Sequence, residues 1–157
     1  MNANSPKEMP ASEAAARLQA LLEAMQDIVL ILDPAGRYVE IASTRHDLLY
    51  RPPDDLIGKT LHDIFPREQA DFFHNALLQA CQSQQVVTIE YPLTVDERDF
   101  WFEARLSPVL DAQGKVASVL SIIRDITPHY LTREALWERE KQYRTLVEQL
   151  NAAIYIP

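Results

Sequence analysis

The sequence predicts an α+β fold: a five-stranded antiparallel sheet with helices grouped on one face and further helices flanking it. Three observations carry that expectation. Two short apolar runs separated by a turn occupy 28–42, helical spacing occupies 45–83 in pieces, and a period of two returns from 87 to 124. Hairpin-linked strands on either side of a helical excursion build an antiparallel sheet, not a doubly wound parallel one. Such a sheet can cover a core with one face and meet a partner with the other.

Taken in order, residues 1–10 carry Asn, Ser, Pro and Lys without periodicity and read as a disordered leader. From Ser12 the pattern turns helical: Leu18, Leu21, Leu22 and Met25 share a stripe, and Ser12 or Glu13 can serve the helix start. The run Ile28 to Leu32 is apolar and rich in β-branched residues, and Asp33-Pro34-Ala35-Gly36 closes it as a turn. Tyr38 to Ala42 then reads as the second strand of a hairpin. Arg51-Pro52-Pro53 interrupts the next stretch; Asp54-Asp55 can cap a short helix over Leu56 and Ile57, which Gly58 ends. Beyond Pro66 a longer helix shows Phe72, Phe73, Ala76, Leu77, Ala80 and Cys81 at spacings of three and four, expected to form one buried stripe.

Alternation takes over in the last third. Val87, Ile89, Tyr91 and Leu93 share one face and Thr88, Glu90 and Thr94 the other. After a polar turn at Asp96-Glu97-Arg98-Asp99, Phe100, Phe102, Ala104 and Leu106 mark an inward face, with Trp101, Glu103, Arg105 and Ser107 outside. Asp111-Ala112-Gln113-Gly114 makes another turn before a strand from Val116 to Arg124. Thr127 is placed to cap a helix whose first turn holds Pro128. From 128 to 150 the chain is highly charged, and Leu136, Tyr143 and Leu150 recur every seven residues with Leu146 between them. Arg139 breaks one inner position, so the heptad suits a helix docked on a domain or on its dimer mate better than a lone one.

Bulk properties bound the function. The 157 residues suit one core, and the net charge of -8 with pI near 4.9 opposes non-specific attraction to nucleic acid or anionic lipid. No apolar stretch approaches the length of about 18 residues that a membrane span needs. The N-terminus lacks the apolar centre of a signal peptide. A single cysteine, Cys81, excludes an internal disulfide and a cysteine-cluster metal site. These features predict a cytoplasmic segment without nucleic-acid or direct membrane contact.

The chain also resembles itself. With an offset of 125 residues, Leu18 falls on Tyr143, Leu21 on Leu146, Leu22 on Val147, Glu23 on Glu148, Met25 on Leu150 and Ile28 to Ile31 on Ala153 to Ile156. This alignment predicts that 151–157 begin a second domain of the same kind, entering its first strand.

The ordered motifs resemble the PAS family of sensory domains with its C-terminal PAC segment. The stretch 27–33, Asp-Ile-Val-Leu-Ile-Leu-Asp, is similar to that family's first strand and turn. Leu56-Ile57-Gly58-Lys59 is similar to its Leu-Ile-Gly-Lys stretch, and Trp101 through Pro108 to its penultimate strand, with Gly114 in the last hairpin. Arg124-Asp125-Ile126-Thr127 resembles the Asp-Ile-Thr junction to a signalling helix. The resemblance implies a sensory domain over 11–127, with its N-terminal helix, followed by a connecting signalling helix at 128–150. It implies a non-catalytic input and dimerisation domain that binds a small ligand or partner and acts on a downstream effector in the same polypeptide, commonly a histidine kinase or diguanylate cyclase. Arg124, Asp125 and Thr127 form the expected signalling junction. Two departures limit cofactors. The flavin-linked branch carries a cysteine in an Asn-Cys-Arg motif, whereas 45–61 holds none and Cys81 lies too late, which argues against covalent flavin. The haem branch uses a histidine on the long helix; His74 is there but about one residue out of step, a weak haem-ligand candidate, so haem is not expected.

Candidate chemistry is correspondingly sparse. Converging nucleophiles, bases or metal ligands are absent from the spacing. Asp54-Asp55 and Asp96-Glu97 read as caps and turns, and histidines stand scattered at 46, 62, 74 and 129. His62 reads as a local hydrogen-bonding residue at a helix start. Phe73, Leu77, Ile89, Tyr91, Phe102 and Leu106 are the expected lining of a pocket for an unidentified small molecule between the long helix and the sheet. The alternative is that they fill the space themselves, as close packing favours, in a structural or heterotypic interaction module. Arg105 is placed to pair with Glu90 or Glu103. Outward Trp101 calls for a cover, either the N-terminal helix or the partner in a homodimer.

Overall fold

A computed structural model describes residues 10–42 and 45–154. Its elements are α1 (Ala11–Ala24), β1 (Ile28–Leu32), β2 (Tyr38–Ile41), a 3-10 turn (His46–Leu48), α2 (Pro53–Leu56), α3 (Leu61–Ile64), α4 (Arg67–Ser83), β3 (Val87–Val95), β4 (Arg98–Leu110), β5 (Val116–Asp125) and α5 (Thr127–Ile154). The strands form one five-stranded antiparallel sheet, as the sequence predicts, and their order is β2-β1-β5-β4-β3. The last strand in the sequence therefore occupies the centre, paired on both sides.

The turns explain the register. Asp33 Oδ1 accepts from the backbone N–H of Ala35 at 3.0 Å and of Arg37 at 2.9 Å, closing the β1–β2 turn. Gly36 has φ +87°, and a Cβ there would come within 3.3 Å of Leu61 Cδ1. Only a glycine lets this turn lie against the helices. In the β3–β4 hairpin the turn is tighter than the four polar residues suggest. Asp96 and Glu97, with φ of 49° and 64°, make a two-residue loop, and Arg98 and Asp99 already pair with Val95 and Thr94. Left-handed backbone at both loop positions matches the right-handed twist of the strands, so pairing runs up to the loop. Asp111 repeats the Asp33 device, its Oδ1 accepting from Gln113 and Lys115 N–H.

Helices cover one face, and α4 supplies most of the contact. Ala70, Phe73, Ala76, Leu77 and Ala80 are buried, whereas Phe72 is 45 % exposed and Cys81 half-buried. The buried stripe is thus narrower than expected, because Phe72 sits about 100° from Phe73 around the axis. Three alanines let α4 approach the sheet closely. Two predicted caps are corrected. Asp54 and Asp55 lie inside α2, whose cap position is Pro52, and Ser12 lies inside α1, which starts after Pro10. Proline at a helix start fixes a compatible φ without a side-chain acceptor. By contrast, α3 begins with a capping box: Thr60 Oγ1 accepts from Asp63 N–H at 3.2 Å, and Asp63 Oδ2 accepts from Thr60 N–H at 2.9 Å.

The flanking helices are solvated. No residue of α1 is buried, with Leu18 and Leu21 at 59 % and 62 % exposure, so its apolar stripe does not cover Trp101. α5 continues through Ile154, so 151–154 are helical where the internal alignment expects a strand to begin at 153. Residues 155–157, like 1–9 of the expected leader, lie outside the described residues.

Leu77→Ala is expected to cost about 2–5 kcal/mol, measured by urea denaturation, because the side chain is fully enclosed between α4 and the β1–β2 turn. A loss below about 1 kcal/mol would contradict that packing. The capping box also predicts an acid dependence. Bonds from the Thr60 backbone and side chain hold the Asp63 carboxyl below its usual range. Its contribution to stability is present above the unfolded pKa of about 4 and is lost as pH falls through the lower folded value. Asp63→Asn should therefore narrow the stability difference between neutral and acidic pH; an unchanged slope would remove Asp63 from the account.

Candidate functional site

Between the helices and the inner sheet face lies an apolar cavity of about 70 Å³. Period-two alternation in β3, β4 and β5 points every second residue into it, while the chain from the 3-10 turn to α3 closes the opposite side through Leu48, Leu49, Tyr50, Leu56 and Leu61. Of the predicted lining residues, Phe73, Ile89, Tyr91, Phe102 and Leu106 border the cavity; Leu77 does not. Leu77 is wholly buried one helical turn beyond Phe73, against Leu61 and the Gly36 turn, where it fills space instead of bounding it. The volume is under half the roughly 150 Å³ of an apolar cavity known to hold benzene.

Aromatic rings form a continuous wall. Phe65 and Phe73 meet edge to face at 5.0 Å, Phe73 and Tyr91 at 4.7 Å, and Tyr91 leans on Phe102 at 6.0 Å. Such pairs contribute about 0.5–1.5 kcal/mol each beyond the area they bury. Three polar lining residues escaped the sequence reading, Tyr38 at 5 % exposure, Ser121 at 3 % and Tyr50 at 36 %. The signal for Ser121 is its parity: it alternates with inward Val119 and Ile123, so a hydroxyl occupies a core position of the central strand. Burial pushes the Tyr38 and Tyr91 phenols well above their ordinary pKa, keeping both protonated.

The remaining candidates stand apart from this space. His74 is half-buried beside the Gly36 turn and stacks edge-on with His62 at 5.6 Å, outside the cavity lining. Phe73, one residue earlier, borders the cavity, and a single step along a helix turns a side chain by about 100°. His62 bonds Asp71 Oδ1 at 2.7 Å, tying α3 to α4. Cys81 also lies outside the lining. Among the described residues no group of three or more His, Cys, Asp or Glu is placed to hold a metal ion.

A second constellation lies behind the cavity wall, where β5 passes into α5. Asp125 Oδ1 accepts from Thr127 N–H at 2.9 Å and from Thr127 Oγ1–H at 2.6 Å, and Thr127 Oγ1 accepts in turn from Trp101 N–H at 3.0 Å. Thr127 is therefore the first residue of α5 and a link to β4, not the cap the sequence suggests; the Ile126 carbonyl takes the first helical bond, from Tyr130 N–H at 2.8 Å. Arg124 does not pair with Asp125. It holds Asp27 with two bonds, Nε to Oδ1 at 3.3 Å and a terminal nitrogen to Oδ2 at 3.1 Å. That partner is 97 residues away in sequence and becomes adjacent because β1 and β5 pair antiparallel. Trp101 is covered by its own chain: its ring stacks on Tyr130 of α5 at 3.9 Å and 15°. The residue expected at a dimer surface thus meets α5 of its own chain and stays half-buried. Arg133 continues the same attachment by pairing with Glu90 at 3.2 Å, which leaves Arg105 to Glu103.

Comparison with known proteins agrees with this architecture. A family model for the PAS fold matches residues 22–130. No curated protein matches the chain. Among solved structures, the PAS domain of a protein from Colwellia psychrerythraea superposes with TM-score 0.61 at 17 % identity, covering 73 % of this chain and 98 % of that one. A sensory box sensor histidine kinase from Vibrio cholerae gives 0.56 at 16 % identity, covering 74 % and 94 %. An RNA-binding light-oxygen-voltage receptor gives 0.65 at 18 % identity over 94 % of this chain but only 41 % of its own. At these identities the structures speak for the fold alone; the family match spans more than half the sequence, and with the five-stranded sheet in its observed order the chain belongs to the PAS fold family.

Proposed function

We propose that the chain is a sensory input domain whose cavity takes up a small molecule and whose α5 carries the response to an effector, a histidine kinase or diguanylate cyclase, in the same polypeptide. One observation carries this reading: cavity wall and helix attachment are made by adjacent residues of the same two strands. Tyr91 and Phe102 face the cavity, while their chain neighbours Glu90 and Trp101 hold Arg133 and Tyr130 of α5. Phe102 also lies opposite Asp125 in the β4–β5 register. A ligand that displaces Tyr91 or Phe102 must move the backbone that carries these contacts, because packed interiors transmit strain. Pro128 restricts the backbone just past the junction, so displacement reaches the helix with little slack.

The competing reading is an interaction module with a filled core, favoured by the small cavity volume of about 70 Å³. The two part at Asp125. Asp125→Ala removes both bonds to Thr127, a change on the scale of a helix cap, about 0.5–2 kcal/mol. In the signalling reading it alters effector output in the intact protein more than it alters the thermal melt of this domain. Output that stays at wild type, or declines only in step with unfolding, would end the coupling role.

Homodimerisation is assigned to α5. Leu136, Tyr143 and Leu150 remain 61 %, 70 % and 63 % exposed at seven-residue spacing, with Leu146 at 58 %. A stripe of this kind gains by packing on a second copy. In sedimentation experiments the wild-type chain should associate with rising concentration, and Tyr143→Glu with Leu146→Glu should leave it monomeric, while Trp101→Ala has the smaller effect. Monomeric wild type up to near-millimolar concentration would refute the assignment.

A further inference from the structure

Four hydroxyl-bearing residues border an otherwise apolar cavity; Tyr50 is 36 % exposed, and the other three are buried. Tyr38 on β2, Tyr91 on β3 and Ser121 on β5 are 5 %, 7 % and 3 % exposed, and all three border it. None of them donates or accepts a side-chain hydrogen bond within the described residues, although no described polar side-chain atom is wholly enclosed without a partner. Each hydroxyl therefore keeps open surface, and the space these residues border is the cavity. Buried polar groups are normally hydrogen bonded, and leaving them unmet is unfavourable. Phenylalanine and alanine would fill these positions without that penalty.

From this placement, and resting on the reading of the cavity as a ligand site, we infer that its ligand is a compact, uncharged molecule presenting a hydrogen-bond acceptor to Tyr38, Tyr91 and Ser121. The acceptor is required because protonated phenols are strong donors and the buried pair stays protonated. Charge is excluded because the lining contains no Asp, Glu, Lys, Arg or His. A carboxylate or phosphate entering it would lose its hydration with no counter-charge to replace it. Compactness follows from the volume of about 70 Å³.

Three four-heavy-atom probes of similar size separate these terms: acetone, its hydrocarbon counterpart isobutene, and acetate. Each is titrated into the 157-residue chain and followed by amide resonances around the cavity. Acetone is expected to bind most tightly and acetate not at all. Removing the recognising hydroxyl by Tyr38→Phe, Tyr91→Phe or Ser121→Ala should weaken acetone by about threefold to tenfold, the range spanned by one neutral hydrogen bond. Isobutene should not be weakened by the same changes, which guards against a general loss of packing. Equal binding of acetate, or acetone affinity unchanged in all three variants, overturns the inference while leaving the cavity a ligand site. Failure of all three probes to perturb the cavity resonances overturns the ligand-site reading and this inference with it.

Discussion

The double pairing of β5 governs the rest of the structure. Its residues bond to β1 on one side and β4 on the other, so Leu30, Ser121 and Leu106 stand side by side across the sheet centre. Alternation within each strand then dictates which atoms meet the cavity and which meet the helices outside. A slip of one residue would exchange the two faces. Register is held at several points: the Asp33 and Asp111 turns, the two-residue loop at Asp96-Glu97, and the Asp27–Arg124 pair at the outer end of β1 and β5.

That geometry gives one backbone two duties. Glu90-Tyr91 and Trp101-Phe102 each present one side chain to the cavity and one to α5. The energetic weight is uneven. The Trp101–Tyr130 stack buries aromatic surface and is the stronger attachment. The Arg133–Glu90 pair is about half exposed on both sides, so it orients the helix more than it stabilises the domain. Beyond the second turn of α5 the apolar side chains are solvent-facing, which separates a docked segment from one free to meet another surface.

Within the cavity, packing and polarity pull in different directions. The aromatic wall from Phe65 through Phe73 and Tyr91 to Phe102 is continuous and mostly edge to face. It would form a dry core if Tyr38, Tyr91 and Ser121 carried no hydroxyls. Their presence at buried positions is the departure from simple close packing, and of the three Tyr91 has as its chain neighbour Glu90, which pairs with Arg133 of α5.

By itself the sequence determined the sheet, its five strands, the inward parity of β3 and β4, and five of the six expected cavity residues. Those features depend on local periodicity and turn chemistry, which are properties of short windows. It also placed the passage from the last strand into the final helix at Asp125–Thr127. Only the tertiary structure decided who partners whom there. Arg124 finds Asp27, Trp101 finds Tyr130, and Glu90 finds Arg133, across separations of 97, 29 and 43 residues. Leu77 left the predicted lining, and Tyr38 and Ser121 entered it, for the same reason. A residue's period tells which face it occupies, but whether it bounds a space or fills one depends on what the opposing element places across from it.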